Sequence, residues 1–149
     1  MPLDNPEYIG PELQNFIFHD VTTNMISFVA QESEVEYLGA AEFPQQFPVE
    51  ARICGYNHRL MVNLVCRHRD LYPSDIPPAL NIIFLVNTGS HVSYLSKQAM
   101  EALAGPTRSY IDAMVQEKLV HDFYLSPIGS DFENVNVLGM DFISRSSEF

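Results

Sequence analysis

The sequence predicts a mostly β domain, a barrel or sandwich with one or two short helices. Three observations carry this. Short runs rich in Val, Ile, Phe, Leu and Tyr recur along the chain, separated by breaks containing Gly, Pro or Asn. One of them, Asn81–Val86, contains five consecutive apolar residues, Ile82 to Val86, without alternation, which marks a strand buried on both faces. The clearest helical spacing of apolar residues is confined to the short stretch Ser96–Leu103. A length of 149 residues fits one domain, and an apolar content of 46% suffices for a core.

Taken in order, residues 1–15 are rich in Pro, Asn and Glu and read as an irregular lead-in. Strands are expected at Asn15–Val21, Asn24–Gln31 and Glu34–Phe43, with a turn at Gln31-Glu32-Ser33-Glu34. Pro44 and Pro48 mark a boundary, because proline cannot donate to a strand ladder. Val49–Cys54 and Leu60–Arg67 read as a hairpin around Gly55-Tyr56-Asn57-His58, where Gly and Asn supply turn conformations. Asp70–Pro78 holds three prolines and reads as a loop before the buried strand Asn81–Val86. Ser96 is the expected N-cap of the helix, whose inner face is Ala99, Met100 and Leu103, and Gly105-Pro106 ends it. Tyr110–Val115 and Leu119–Leu125 form a second hairpin around Gln116-Glu117-Lys118. Val135–Leu138 is a short strand, Gly139–Ile143 turns out of it, and Asp141 is expected to cap a C-terminal helix. The chain thus divides into an N-terminal extension with strands (1–48), a core (49–143) and a polar tail (144–149).

A net charge of −11 argues against nucleic-acid binding, which needs a basic footprint. The longest apolar run is five residues, against the ~20 of a membrane span, so no membrane partner is expected. Met1 to Pro6 shows neither a basic nor an apolar leader region. Cys54 and Cys66 form no Cys-x-x-Cys pair and suit a reducing compartment, so a cytoplasmic location is expected. The histidines at 19, 58, 68, 91 and 121 are scattered without zinc-site spacing, and no metal is expected. Ser90, His91 and Asp141 lack the elbow motif of a serine hydrolase.

The chemistry concentrates in two segments. Ile82-Ile83-Phe84 runs directly into Leu85-Val86-Asn87-Thr88-Gly89-Ser90, and about fifty residues later comes Asn136-Val137-Leu138-Gly139-Met140-Asp141-Phe142. A buried strand entering Asx-Thr-Gly-Ser, followed at this spacing by two bulky apolar residues and a glycine, resembles the retropepsins, the single-domain aspartic proteases of retroviruses and retrotransposons. The run Leu138-Gly139-Met140-Asp141 before an aromatic is most similar to the gypsy-type retrotransposon members and their domesticated relatives. The resemblance covers roughly residues 49–143.

It implies a closed β-barrel, endopeptidase activity without a cofactor, and an extended polypeptide as substrate. Asn87 falls at the position of the catalytic aspartate. Thr88 would anchor the turn across two active-site loops, Gly89 would direct its amide at the carboxylates, and Ser90 would reach the outer carboxylate oxygen. Val137, Leu138 and Gly139 would form the cleft wall beneath and beside the turn. The reaction needs two carboxylates sharing one proton, one activating a water and the other acting as acid toward the scissile carbonyl. The chain holds one such turn, so the resemblance implies a homodimer on a two-fold axis.

The departure is Asn87 itself. Asn is neutral and cannot serve as a carboxylate base, so the chain as written is expected to be inactive. One reading is an Asp-to-Asn change that keeps the shape of the turn; the alternative is a natural pseudoprotease acting as a peptide-binding or dimerisation module. Met140 also replaces the basic residue of retroviral members, as gypsy-type members tolerate. The family's Gly-rich covering hairpin has no clear counterpart, since Ala104–Tyr110 contains one glycine and Tyr110–Leu125 none.

Overall fold

Seven strands form one sheet that closes on itself in the computed structural model, which describes residues 20–69, 77–130 and 132–145. They are β1 (Ala51–Cys54), β2 (Arg59–His68), β3 (Ala79–Val86), β4 (Ser93–Leu95), β5 (Tyr110–Val115), β6 (Leu119–Leu125) and β7 (Asn136–Leu138). Among the described residues three helices accompany them: α1 (Thr23–Glu32), α2 (Lys97–Ala104) and α3 (Met140–Ile143). The sheet order is β1-β2-β3-β7-β4-β6-β5, and β5 pairs back onto β2. The strands from β2 round to β5 therefore make a closed barrel, and β1 extends the first half of β2 as a hairpin arm. Closure removes the exposed edges that an open sheet would leave.

The ten-residue β2 serves three partners. Cys54 to Ala51 pair with Arg59 to Val62, and further along the same edge Cys66 to His68 pair with Val115 to Ala113. Between them the edge would be open at Val65. Gln116 closes it: its Oε1 accepts the Val65 N–H at 2.7 Å, and its own N–H donates to the Val65 carbonyl at 2.7 Å. A left-handed backbone at Gln116 (φ 63°) directs both groups at the same residue.

β3 explains the unbroken apolar run. Ile82 and Phe84 point into the barrel with Val62, Leu64, Leu95 and Phe123, where Phe84 and Phe123 stack at 5.6 Å. Ile83 and Leu85 point outward into a second core with Met61 and with Ile26 and Val29 of α1. Both faces are dry, so no polar alternation is needed.

Most elements of the core fall where the sequence places them. The second hairpin matches residue for residue, and α2 has its N-cap at Ser96, whose Oγ accepts the Ala99 N–H, and its end at Gly105 (φ 80°). The N-terminal extension differs. Asn24–Gln31 is not a strand but lies within α1, capped by Thr22, because Ile26, Val29 and Ala30 share one helical face that is buried against the barrel. Glu34–Phe43 is not a strand either. It touches β3 through one bridge, Ala40 to Leu80, and through bonds from Leu38 and Ala41 to Asn81 and Ala79 carbonyls; left-handed residues at Glu34 and Leu38 break its regularity. Of Asn15–Val21, only Asp20 and Val21 are described, and they are not in a strand; residues 1–19, most of the Asp70–Pro78 loop and the tail beyond Arg145 lie outside the described residues. β4 has no counterpart among the expected strands.

Asn136 is a buried polar residue in this frame. Its Oδ1 accepts the Ser96 N–H at 2.8 Å, and its Nδ2 donates to the Tyr37 hydroxyl at 2.6 Å and the Ile83 carbonyl at 2.9 Å. One side chain thus ties β7 to β3, to the cap of α2 and to the segment after α1. Asn136→Leu would leave these groups unpaired in a dry setting and is expected to destabilise the fold by about 3 kcal/mol or more. Denaturant unfolding measures it; a loss below about 1 kcal/mol would show that water replaces the carboxamide.

Candidate active site

β7 lies between β3 and β4, parallel to the first and antiparallel to the second. The chain therefore leaves β3, turns through Asn87 to Val92, and returns as β4 on the far side of β7. The turn is tied at each step. The Ser90 N–H donates to the Asn87 carbonyl at 3.2 Å and the Gly89 N–H to Asn87 Oδ1 at 3.1 Å. The Asn87 N–H donates to the Leu138 carbonyl at 2.9 Å. The first amides of α3 finish the frame, Met140 N–H to the Ser90 carbonyl at 2.7 Å and Asp141 N–H to the His91 carbonyl at 3.2 Å.

The two sequence segments singled out above thus meet. Asn87 is half-buried, Thr88 and Gly89 are exposed in the single chain, and Ser90 is buried. Val137, Leu138 and Gly139 are all buried beside the turn. Gly139 is required by space. A Cβ there would stand 2.2 Å from the Val92 carbonyl oxygen and 2.7 Å from that of Ser90. Ser90 departs from expectation: its hydroxyl donates to the Val92 carbonyl at 2.7 Å rather than being aimed at position 87. A side chain buried behind the turn pairs with the nearest backbone acceptor.

Asp141 also departs from expectation. Gly139 occupies the N-cap of α3 without a side-chain bond, and Asp141 lies in the first turn of the helix. Its Oδ1 accepts the Ser93 hydroxyl at 2.7 Å and the Phe142 N–H at 2.8 Å, and its Oδ2 lies 3.1 Å from His121 Nε2. Ser93 in turn accepts the Gly139 N–H at 3.0 Å. His121 sits edge-on between Phe123 and Phe142. Its Nδ1 is 3.2 Å from Arg145 Nη1, and since a guanidinium only donates, the ring proton faces Asp141. This network, which sequence spacing does not reveal, clamps α3 to β4 and β6 directly behind the turn.

Burial alone would raise the Asp141 carboxyl, but His121, the Ser93 hydroxyl and the Phe142 N–H outweigh it and hold it below the ordinary value. A carboxyl depressed in the folded state stabilises the fold above its unfolded value, about pH 4, and loses that contribution as pH falls through the folded one. Asp141→Asn is expected to lower stability at pH 7 and to flatten its acid-side decline between about pH 5 and 3. Urea unfolding across that range should show the two proteins converging toward acid; parallel curves would refute the assignment.

The cysteines take no part. Cys54 and Cys66 are free and buried, and burial pushes both thiols up. Between β4 and β5 the chain forms α2 and the loop 105–109, and no Gly-rich hairpin covers the turn among the described residues. Beyond the turn, Val92 and Tyr94 line an apolar groove of about 570 Å³ with Leu125 and Ile128.

No protein-family model and no curated protein sequence matches the chain. Among solved structures it is similar to a retropepsin-like aspartic protease from Rickettsia conorii, at 12% identity and a TM-score of 0.38, over 68% of this chain and 86% of that one.

Proposed function

We propose that this chain is an aspartic endopeptidase domain of the retropepsin type, working as a homodimer on extended polypeptides, in a form silenced by Asn at position 87. One observation carries the reading. The Asx-Thr-Gly-Ser turn follows directly on β3 of the closed barrel and is tied by its first amide to Leu138 of the apolar-apolar-Gly element. The turn contributes one half of a dyad, and a second copy on a two-fold axis supplies the other. The amide of Gly89 needs only an acceptor at position 87, which Asn and Asp both provide, so a carboxylate fits the same turn.

The test is Asn87→Asp, assayed on a quenched-fluorescence peptide library between about pH 4 and 7, with sedimentation to establish the dimer. Cleavage confined to the Asp form supports the protease. Silence of a folded, dimeric Asp form across the library supports instead a module that binds peptides or dimerises without cutting.

A further inference from the structure

The groove beside the turn has a chemistry of its own. Past Ser109, Leu125 and Ile128, which border both spaces, it continues into a second hollow of about 430 Å³ against Met100 of α2, with Arg108 at its border. The surface is apolar yet open to water: Ile128 is 71% exposed and Tyr124 44%. A contiguous exposed apolar surface of this kind marks a binding groove more often than a bare face.

Three charged residues border the second hollow, and two of them, Lys97 and Glu101, pair with each other at 3.9 Å, which leaves Arg108. Of the eight Lys and Arg side chains, Arg52, Arg59, Arg69 and Lys97 pair with carboxylates. Arg67 lies over the Phe43 ring, and Arg145 meets His121. Among the described residues, Arg108 and Lys118 have no such partner, and Arg108 is the one at this groove. Thr107 before it holds φ 76°, a left-handed conformation that a β-branched residue rarely adopts. Ser109 after it accepts the Leu125 N–H at 2.9 Å, fastening the loop to β6. Strain of this kind clusters at ligand clamps, where the surrounding structure holds it in place.

We infer that this groove recognises an extended polypeptide segment carrying an acidic residue, paired by Arg108, close to an apolar residue seated among Val92, Tyr94, Leu125 and Ile128. On a chain of net charge −11, an unpaired guanidinium beside an apolar hollow complements a carboxylate that the rest of the surface repels. That the segment is a substrate rests on the protease reading; the recognition itself does not depend on whether position 87 can cut.

The Asn87 chain binds without cutting, so affinity is measured on it directly. Fluorescein-labelled peptides of Ser and Ala, differing only in a central Glu-Leu, Gln-Leu, Lys-Leu or Glu-Gln pair, are titrated by fluorescence anisotropy. Glu-Leu is expected to bind about fivefold tighter than Gln-Leu at low salt and about tenfold tighter than Glu-Gln. Arg108→Glu, a change at an exposed position, is expected to make Lys-Leu the preferred probe. Equal affinities, no saturable binding by any probe, or an Arg108→Glu variant with the order unchanged overturns the inference. The Asn87→Asp form separates the two proposals. Cleavage without preference for acidic-apolar sequences leaves the protease standing and this inference fallen. No cleavage, with Arg108-dependent binding intact, does the reverse.

Discussion

Asn87→Asp is expected to raise peptide cleavage by about 10³-fold or more over the Asn87 chain, the scale that a positioned acid and base contribute. The effect is local. Asn87 Oδ1 already accepts the Gly89 N–H, and its backbone is fixed by Leu138 and Ser90, so the substitution changes protonation and not shape. A carboxamide can hold a water but cannot take its proton. Paired carboxylates on a two-fold axis cannot both ionise, so they share a proton and titrate together. The rate should therefore rise and fall around an acidic optimum, with both limbs belonging to the pair. Asn87→Ala serves as the control, expected to be as silent as the Asn form. An Asp form that folds, dimerises and still cuts nothing would end the protease reading.

Gly139→Ala is expected to cost about 3 kcal/mol or more, a fall in Tm of about 10 °C for a chain of this size. The added methyl would meet two backbone carbonyls, Val92 at 2.2 Å and Ser90 at 2.7 Å, and neither can swing away as a side-chain end could. Both belong to the segment from the Asn87–Ser90 turn into β4, so relief of the clash must displace the turn or β7. Combined with Asn87→Asp, the same change is therefore expected to abolish cleavage even at temperatures where the protein stays folded. Gly129→Ala is the comparison. Its backbone is left-handed (φ 85°) but the space around it is open, so it should lose only about 1 kcal/mol. A loss at Gly139 no larger than that at Gly129 would mean that the surrounding backbone yields to the methyl, since Gly139 itself holds an ordinary extended φ of −93°.

The parts of this fold that can be read along the chain are those whose cause is local. β3 declares itself by apolar residues on both faces, the β5–β6 hairpin by its bounded runs, and α2 by Ser96 and Gly105 at its ends. The turn at Asn87–Ser90 is legible for the same reason, as a fixed order of small residues after a buried strand. α1 is misread because Ile26, Phe28 and Val29 favour strands by propensity, while burial of one helical face against Met61 and Leu85 decides the outcome. β4 is only three residues long and exists because β6 and β7 lie on either side of it, neither adjacent in sequence. The His121–Asp141–Ser93 network joins residues up to 48 positions apart, and no spacing announces it. Asn136 left one trace, a carboxamide at the head of an apolar run, which signals a buried polar group in need of partners.

The placement of β7 between β3 and β4 also sets the order in which the molecule comes into being. As the chain emerges from a ribosome, the segment carrying Asn87 is complete long before Leu138 exists to receive its amide. Until then the slot between β3 and β4 stands empty, and the turn has neither its floor nor the α3 amides that hold Ser90 and His91. Bringing Leu138 to Asn87 closes a loop of some fifty residues, an entropic cost met only as β7 enters between β3 and β4 and the barrel closes. The turn at Asn87–Ser90 is therefore expected to take its final shape only when β7 and α3 have been added. A chain cut short before Leu138 is expected to lack the bonds that fix the turn.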